Sequence, residues 1–225
     1  MKKTFDINFV DGHLLISDNG NTILVDTGSP TTVHQGNILS FLGRDFAVYT
    51  SIMGSGIEKI SKLAGFEFNT LLGMDILSQY RVVFDYADKQ LTFLSEDEEV
   101  IEGAAVPLVN LVGGLKAVMM QINGQPLKMA LDTGAPLSYI SEAVSVGLQK
   151  DGEKEDFHPS VGRFLTPVYH IETEIAGKPF MCSYGNLPVG MSMVFHVMDG
   201  IVGYDFFKTF KVMLDCKGGQ LVIAY

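Results

Sequence analysis

One long pattern occurs twice in this chain. The apolar run Thr22-Ile23-Leu24-Val25 leads into Asp26-Thr27-Gly28-Ser29-Pro30. A second run, Leu127-Lys128-Met129-Ala130-Leu131, leads into Asp132-Thr133-Gly134-Ala135-Pro136. Downstream of each comes an apolar pair and a glycine: Leu71-Leu72-Gly73-Met74-Asp75, then Ile201-Val202-Gly203-Tyr204-Asp205. Each copy ends in a similar hairpin, Arg81 to Asp85 with Gln90-Leu91 and Lys211 to Asp215 with Gln220-Leu221. A repeat of this length is a repeat of supersecondary structure, so both halves must fold alike. Each half then brings one carboxylate to a shared site. The Asp residues lie 106 positions apart and the glycines 130, so the second half holds 24 extra residues between its motifs.

Most of the repeat reads as strand. Thr4–Val10, His13–Ser17, Thr22–Val25, Ala105–Leu111, Leu115–Ile122 and Leu127–Leu131 are short and apolar-rich, and turn residues bound several of them. Asn19-Gly20 and Asn123-Gly124 predict tight hairpin turns. Helices are few. Ile57–Ala64 has helical apolar spacing and Gly65 as its stop, and Met74–Tyr80, Glu142–Gly147 and Tyr204–Thr209 are one-turn or two-turn candidates. The acidic run inside Ser95–Gly103 reads as a solvated linker. It divides the chain into residues 1–99, carrying Asp26, and 100–225, carrying Asp132.

Composition narrows the function. At 225 residues and 47% hydrophobic, the chain can bury a substantial core. A net charge of −10 disfavours nucleic acid and anionic membranes as partners. No apolar stretch reaches signal-peptide or membrane-spanning length. Cys182 and Cys216 sit in no metal-ligand spacing, the five histidines are scattered, and no metal or cofactor is expected. Two reduced thiols and no leader imply a cytoplasmic protein.

These motifs resemble those of the pepsin-like and retropepsin-like aspartic proteases. The likeness rests on the strand into Asp-Thr-Gly and the later apolar-apolar-Gly segment, twice and in the same order. It implies an all-β chain with a few short helices, in a two-lobed acid-protease-like β-barrel fold with internal duplication. By length the chain looks like a fused, retropepsin-like pair, so a monomer suffices to build the site.

Carried over by that resemblance, Asp26 and Asp132 form the catalytic pair. Thr27 and Thr133 bond across to the opposite loop. Gly28 and Gly134 permit close backbone approach, and Gly73 and Gly203 support the Asp loops. The implied function is an aspartic-type endopeptidase acting on a peptide or protein substrate. The alternatives are an inactive module binding peptide in the same cleft, and a structural domain of a larger assembly.

Two neighbouring carboxyls share one proton cheaply, so one serves as base and the other as acid. Ser29 and Ala135 make the halves unequal. A Ser29 hydroxyl donating to its carboxylate would favour Asp26 as the charged base and leave Asp132 protonated. With Ala135 offering no donor, activity nearer neutral pH is expected.

Such an enzyme needs a mobile cover. One candidate is Ser51 to Gly56 with Gly54 at its tip. The favoured one is in the second half, around Phe157–Thr166 with Ser160 and Gly162, continuing through Pro167–Glu174 and Pro179–Tyr184. Asp75 and Asp205 are expected to cap short helices, and His34 to lie on a surface loop. Tyr49 is considered as a flap tyrosine.

Overall fold

A computed structural model describes residues 1–96, 98, 101–158, 161–188, 190–191 and 196–224. Strands dominate, as the apolar runs and turn residues predict, and the helices are short. The first half builds a five-stranded sheet. Its spatial order is Asn8–Val10, His13–Asp18, Asn21–Val25, Thr70–Leu72, Val33–His34. The second half repeats that order with Val109–Asn110, Lys116–Ile122, Gln125–Leu131, Gly200–Val202 and Ser138–Ile140. Lys178–Asn186 and Tyr169–Ile175 extend this second sheet.

In both sheets the strand into the Asp loop pairs in parallel with the strand before the supporting glycine. Leu72 lies beside Val25, and Val202 beside Leu131. Parallel pairing needs a long crossover, which explains why motifs so distant in sequence recur as a pair.

A third sheet of six strands joins the halves. Its order is Lys2–Asp6, Gln90–Leu94, Arg81–Asp85, Lys211–Asp215, Gln220–Ala224, Ala104–Pro107. Three strands precede the acidic run and three follow it. The halves meet where Arg81–Asp85 runs antiparallel to Lys211–Asp215, and two ion pairs are exchanged there. Arg81 Nε reaches Asp215 at 3.0 Å and Lys211 Nζ reaches Asp85 at 2.7 Å. Burial alone would raise the Asp85 pKa, but the bond and charge of Lys211 outweigh it and the carboxyl is held below its ordinary value. One apolar core runs through both halves, including Val25, Leu72, Phe84, Leu131, Val202 and Phe207.

Several boundaries moved. Thr4–Val10 is two strands, Lys2–Asp6 and Asn8–Val10, which join different sheets. Ala105–Leu111 likewise splits into Ala104–Pro107 and Val109–Asn110. Asn19-Gly20 and Asn123-Gly124 form the tight turns with all four residues at positive φ. The helix Ile57–Ala64 appears as predicted, with Gly65 left-handed at φ 87°. Among the described residues the other α-helices are Met74–Leu77, Glu142–Ser145 and Tyr204–Thr209, with a 3-10 turn at Val112–Gly114.

The linker is tied down rather than merely solvated. Arg81 Nη1 donates to the Glu96 carbonyl at 2.7 Å, and Glu98 pairs with the N-terminal amine at 3.0 Å. Glu99, the expected last residue of the first unit, lies outside the described residues. Cys182 and Cys216 are free thiols. Among the described residues no helix is long and apolar enough to cross a membrane.

Candidate active site

Each Asp closes a strand. The Asp26 N–H donates to the Leu72 carbonyl and the Asp132 N–H to Val202, both at 3.0 Å. Beyond them the chain turns back, and the Gly28 N–H donates to Asp26 Oδ1 at 2.8 Å. Gly134 does the same for Asp132 Oδ1 at 2.9 Å. These bonds hold the two carboxyls close enough for each to shift the pKa of the other.

The threonines lock the loops together. The Thr27 N–H donates to Thr133 Oγ1 at 3.0 Å, and the Thr133 N–H to Thr27 Oγ1 at 2.9 Å. Each hydroxyl then donates onward: Thr27 to the Leu131 carbonyl at 2.9 Å, Thr133 to Val25 at 2.8 Å. Both threonines are fully buried, so these four bonds form away from water, where leaving one unmade is costly.

Gly28 and Gly134 are required by space rather than by φ. A Cβ at Gly28 would overlap the carboxyl of Asp132, and one at Gly134 would come within 2.7 Å of Asp26 Cγ. Each loop's glycine therefore makes room for the other loop's acid.

Gly73 and Gly203 press against the loops in the same way. A Cβ at Gly73 would meet the Thr31 carbonyl group at 2.6 Å, and one at Gly203 would overlap the Ala135 oxygen. Two further hydroxyls not singled out from sequence hold these segments: Gly73 N–H donates to Thr32 Oγ1 and Gly203 N–H to Ser138 Oγ, both at 3.0 Å. Their signal was present in the repeat, three residues after Ser29 and Ala135.

The expected role of Ser29 is corrected. Its hydroxyl donates to the Thr31 carbonyl at 2.9 Å, which closes its own turn instead of serving the carboxylate. The asymmetry survives by another route. Burial raises the pKa of Asp26, while a hydrogen bond from Asp132 and the N–H groups of Gly28 and Ser29 oppose the rise. Burial raises Asp132 too, and the charge of Asp26 then adds to it, with a smaller push from Asp156. Asp132 ends well above the ordinary aspartate value. Both acids are pushed upward, Asp132 the further, so Asp132 is the more readily protonated of the two.

The carboxyls lie on the floor of a cleft of about 320 Å³. Its lining is mostly apolar, with Leu24, Ile60, Leu71, Leu131, Phe164 and Ile201 among the contributors. His158, inside the expected cover Phe157–Thr166, also faces it, as do His13, Tyr139 and Asp156, which were missed in the sequence. Among the described residues no three or more His, Cys, Asp or Glu are grouped to hold a metal ion.

The second-half cover is a hairpin of Glu153–His158 and Gly162–Pro167. Phe157, His158 and Phe164 face the cleft. Phe157 crosses to the first half and packs on the cluster containing Ile57, Ile60 and Leu71, with its ring 5.8 Å from that of His13. Gly162 adopts φ 86° in open space at the strand's start, and Ser160 lies outside the described residues.

The expected continuation of this cover is corrected: Tyr169–Ile175 and Lys178–Asn186 pair as strands of the large sheet. The first-half candidate is only Ser51-Ile52 paired with Ser55-Gly56, turning at Met53-Gly54. Ile52 and Met53 still reach the cleft.

Three other expectations change. Asp75 and Asp205 lie inside the first helical turns rather than at the N-cap, though Asp75 Oδ1 still accepts the first-turn N–H of Ile76 at 3.0 Å. Asp75 accepts from Thr32 Oγ1 at 2.6 Å, and Asp205 from the Ser183 N–H at 2.8 Å. His34 is buried in a strand, with Nδ1 2.8 Å from Thr70 Oγ1. Tyr49 is 62% exposed and is not among the cleft residues.

No protein-family model matches the chain, and no curated protein matches it in sequence. Among solved structures it is similar to a retropepsin-like aspartic protease from Rickettsia conorii, with 15% identity and a TM-score of 0.41, over 55% of this chain and 92% of that one. It is also similar to the Simian Foamy Virus (mac) protease, with 16% identity and a TM-score of 0.30, over 39% of this chain and 86% of that one. At such values the chemistry of the site has to be read from its own side chains.

Proposed function

We propose that this chain is an aspartic-type endopeptidase. One observation carries the reading: two carboxyls from distant strands, each held by the N–H of its own loop's glycine, face the same cleft. In this reading the charged Asp26 takes a proton from a water held between the acids. The resulting hydroxide adds to the scissile carbonyl carbon. Asp132 gives its proton to the carbonyl oxygen and stabilises the tetrahedral intermediate. Collapse of that intermediate breaks the C–N bond. Asp26 passes its proton to the leaving nitrogen and a hydroxyl of the intermediate returns one to Asp132, so the starting state is restored.

Both acids come from one chain, so a monomer suffices. The apolar lining favours an extended, largely hydrophobic segment under the Glu153–Pro167 hairpin. A cytoplasmic setting fits the two free thiols.

The test is incubation with a mixed peptide library from pH 3 to pH 8, beside Asp26→Asn and Asp132→Asn. Cleavage by the parent and its loss in both variants is expected. Peptide binding with no cleavage by the parent at any pH would replace the reading with that of a binding module.

A further inference from the structure

The cleft contains a third acid that the proposed hydrolysis does not use. Asp156 lies on the covering hairpin and is only 9% exposed. Its Oδ2 accepts the Tyr139 hydroxyl and its Oδ1 accepts the Phe157 N–H at 2.7 Å. A carboxylate can accept about four hydrogen bonds, so capacity remains.

From the opposite half His13, only 3% exposed, lines the same cleft, with the rings of Phe66 and Phe157 at 5.0 and 5.8 Å from its own. Its Nδ1 lies 3.2 Å from the Val10 carbonyl. A carbonyl accepts only, so that nitrogen carries the hydrogen and Nε2 keeps a bare lone pair. Nε2 has no hydrogen-bond partner among the described residues. Burial lowers the pKa of His13, so the ring is neutral near pH 7.

The cleft lining thus combines a carboxylate and an unmatched acceptor, and among the described residues it includes no lysine or arginine; Lys154, whose charge reaches His13, donates to the Pro136 carbonyl at 3.2 Å. A buried acceptor left unmatched is costly, and a charged donor answers both groups at once.

Resting on the endopeptidase reading for its location, we propose that Asp156, with His13 opposite, forms a subsite for a Lys or Arg side chain of an otherwise apolar substrate. Asp156 is anchored for this task by two donors from its own half, the Tyr139 hydroxyl and the Phe157 N–H.

The test measures binding without requiring turnover. Leu- and Phe-rich octapeptides carrying Lys, norleucine, Gln or Glu at each position in turn are titrated into Asp132→Asn protein. At one position the Lys peptide should bind roughly tenfold tighter than the norleucine peptide, the scale of a hydrogen bond to a charged group. The Glu peptide should bind worst there.

Asp156→Asn on the same background should level Lys with norleucine. Tyr139→Phe loosens the same hairpin contact but keeps the charge, so it should preserve the preference. Equal binding of Lys and norleucine at every position would overturn the subsite, as would a Lys preference that survives Asp156→Asn. Cleavage of the same peptides by the parent is scored separately. A Lys preference without cleavage keeps the subsite and removes the hydrolase; cleavage without the preference does the reverse.

Discussion

The loop after Val25 and the loop after Leu131 carry the same bonds: an Asp held by its own glycine N–H, a threonine hydroxyl reaching into the opposite half, and a supporting glycine behind. Their covers share almost nothing. The first half spends its intervening residues on the short turn at Met53-Gly54 and the helix Ile57–Ala64. The second builds two six-residue strands, Glu153–His158 and Gly162–Pro167, that lean across onto that helix. The floor is alike because its two copies are made from each other's atoms, so a change in one must be met in the other. The covers carry no such mutual demand. A single hairpin can close the cleft if the opposite half offers a surface to rest on.

The mutual demand is strongest at the glycines. Gly28→Ala should cost more than about 100-fold in kcat/KM, since displacement of a reacting group by about 1 Å has that effect. Gly134→Ala should cost less, because its Cβ intrudes less deeply on the opposite acid. Peptide turnover by the two variants measures this. Equal activity to the parent in either would mean that the loops are not in mutual contact.

Next come the threonines. Thr27→Val and Thr133→Val each remove one donated bond and orphan one buried N–H, at about 2–4 kcal/mol. Urea unfolding should give matching losses for the two. A difference above about 1 kcal/mol would show that the halves share the lock unequally.

The acids themselves should separate by pH. Folding raises the Asp132 pKa, so above the ordinary aspartate value the folded chain holds a proton that the unfolded chain has released. Stability therefore falls as pH rises through that window. Asp132→Asn removes the burden, and a gain of about 1 kcal/mol or more is expected at pH 7, the worth of a one-unit shift, with little gain at pH 3. Asp26→Asn should gain less, because Asp132 would remain buried beside Asp156. Thermal unfolding across pH gives the comparison, and a larger gain for Asp26→Asn would reverse the assignment of the proton.

The smallest effect is expected where the sequences of the two loops differ most plainly. Ser29→Ala makes the first loop match the second, yet the lost hydroxyl served only the Thr31 carbonyl. The pH–rate profile should stay in place within about 0.3 units, well under a typical pKa perturbation. A larger shift would restore the hydroxyl as the source of the asymmetry.

What could be read from sequence was whatever local pattern dictates. Apolar runs ending at turn residues gave the strands, Asn19-Gly20 and Asn123-Gly124 the hairpin turns, and Gly65 the end of a helix. The doubled motif brought Asp26, Asp132 and their glycines to notice because a repeated short segment repeats its local geometry. Tertiary packing decided the rest. Thr4–Val10 is one apolar run, yet it divides between two sheets because different partners claim its ends. The Ser29 hydroxyl donates to the Thr31 carbonyl, a partner that the closing of its turn supplies. Asp156, Tyr139 and His13 share no motif and come from separate strands, so only the folding of the hairpin over the first half brings them to one cleft. A sequence records which residues are neighbours along the chain. The protonation of Asp132 and the polarity of the cleft depend on neighbours across space.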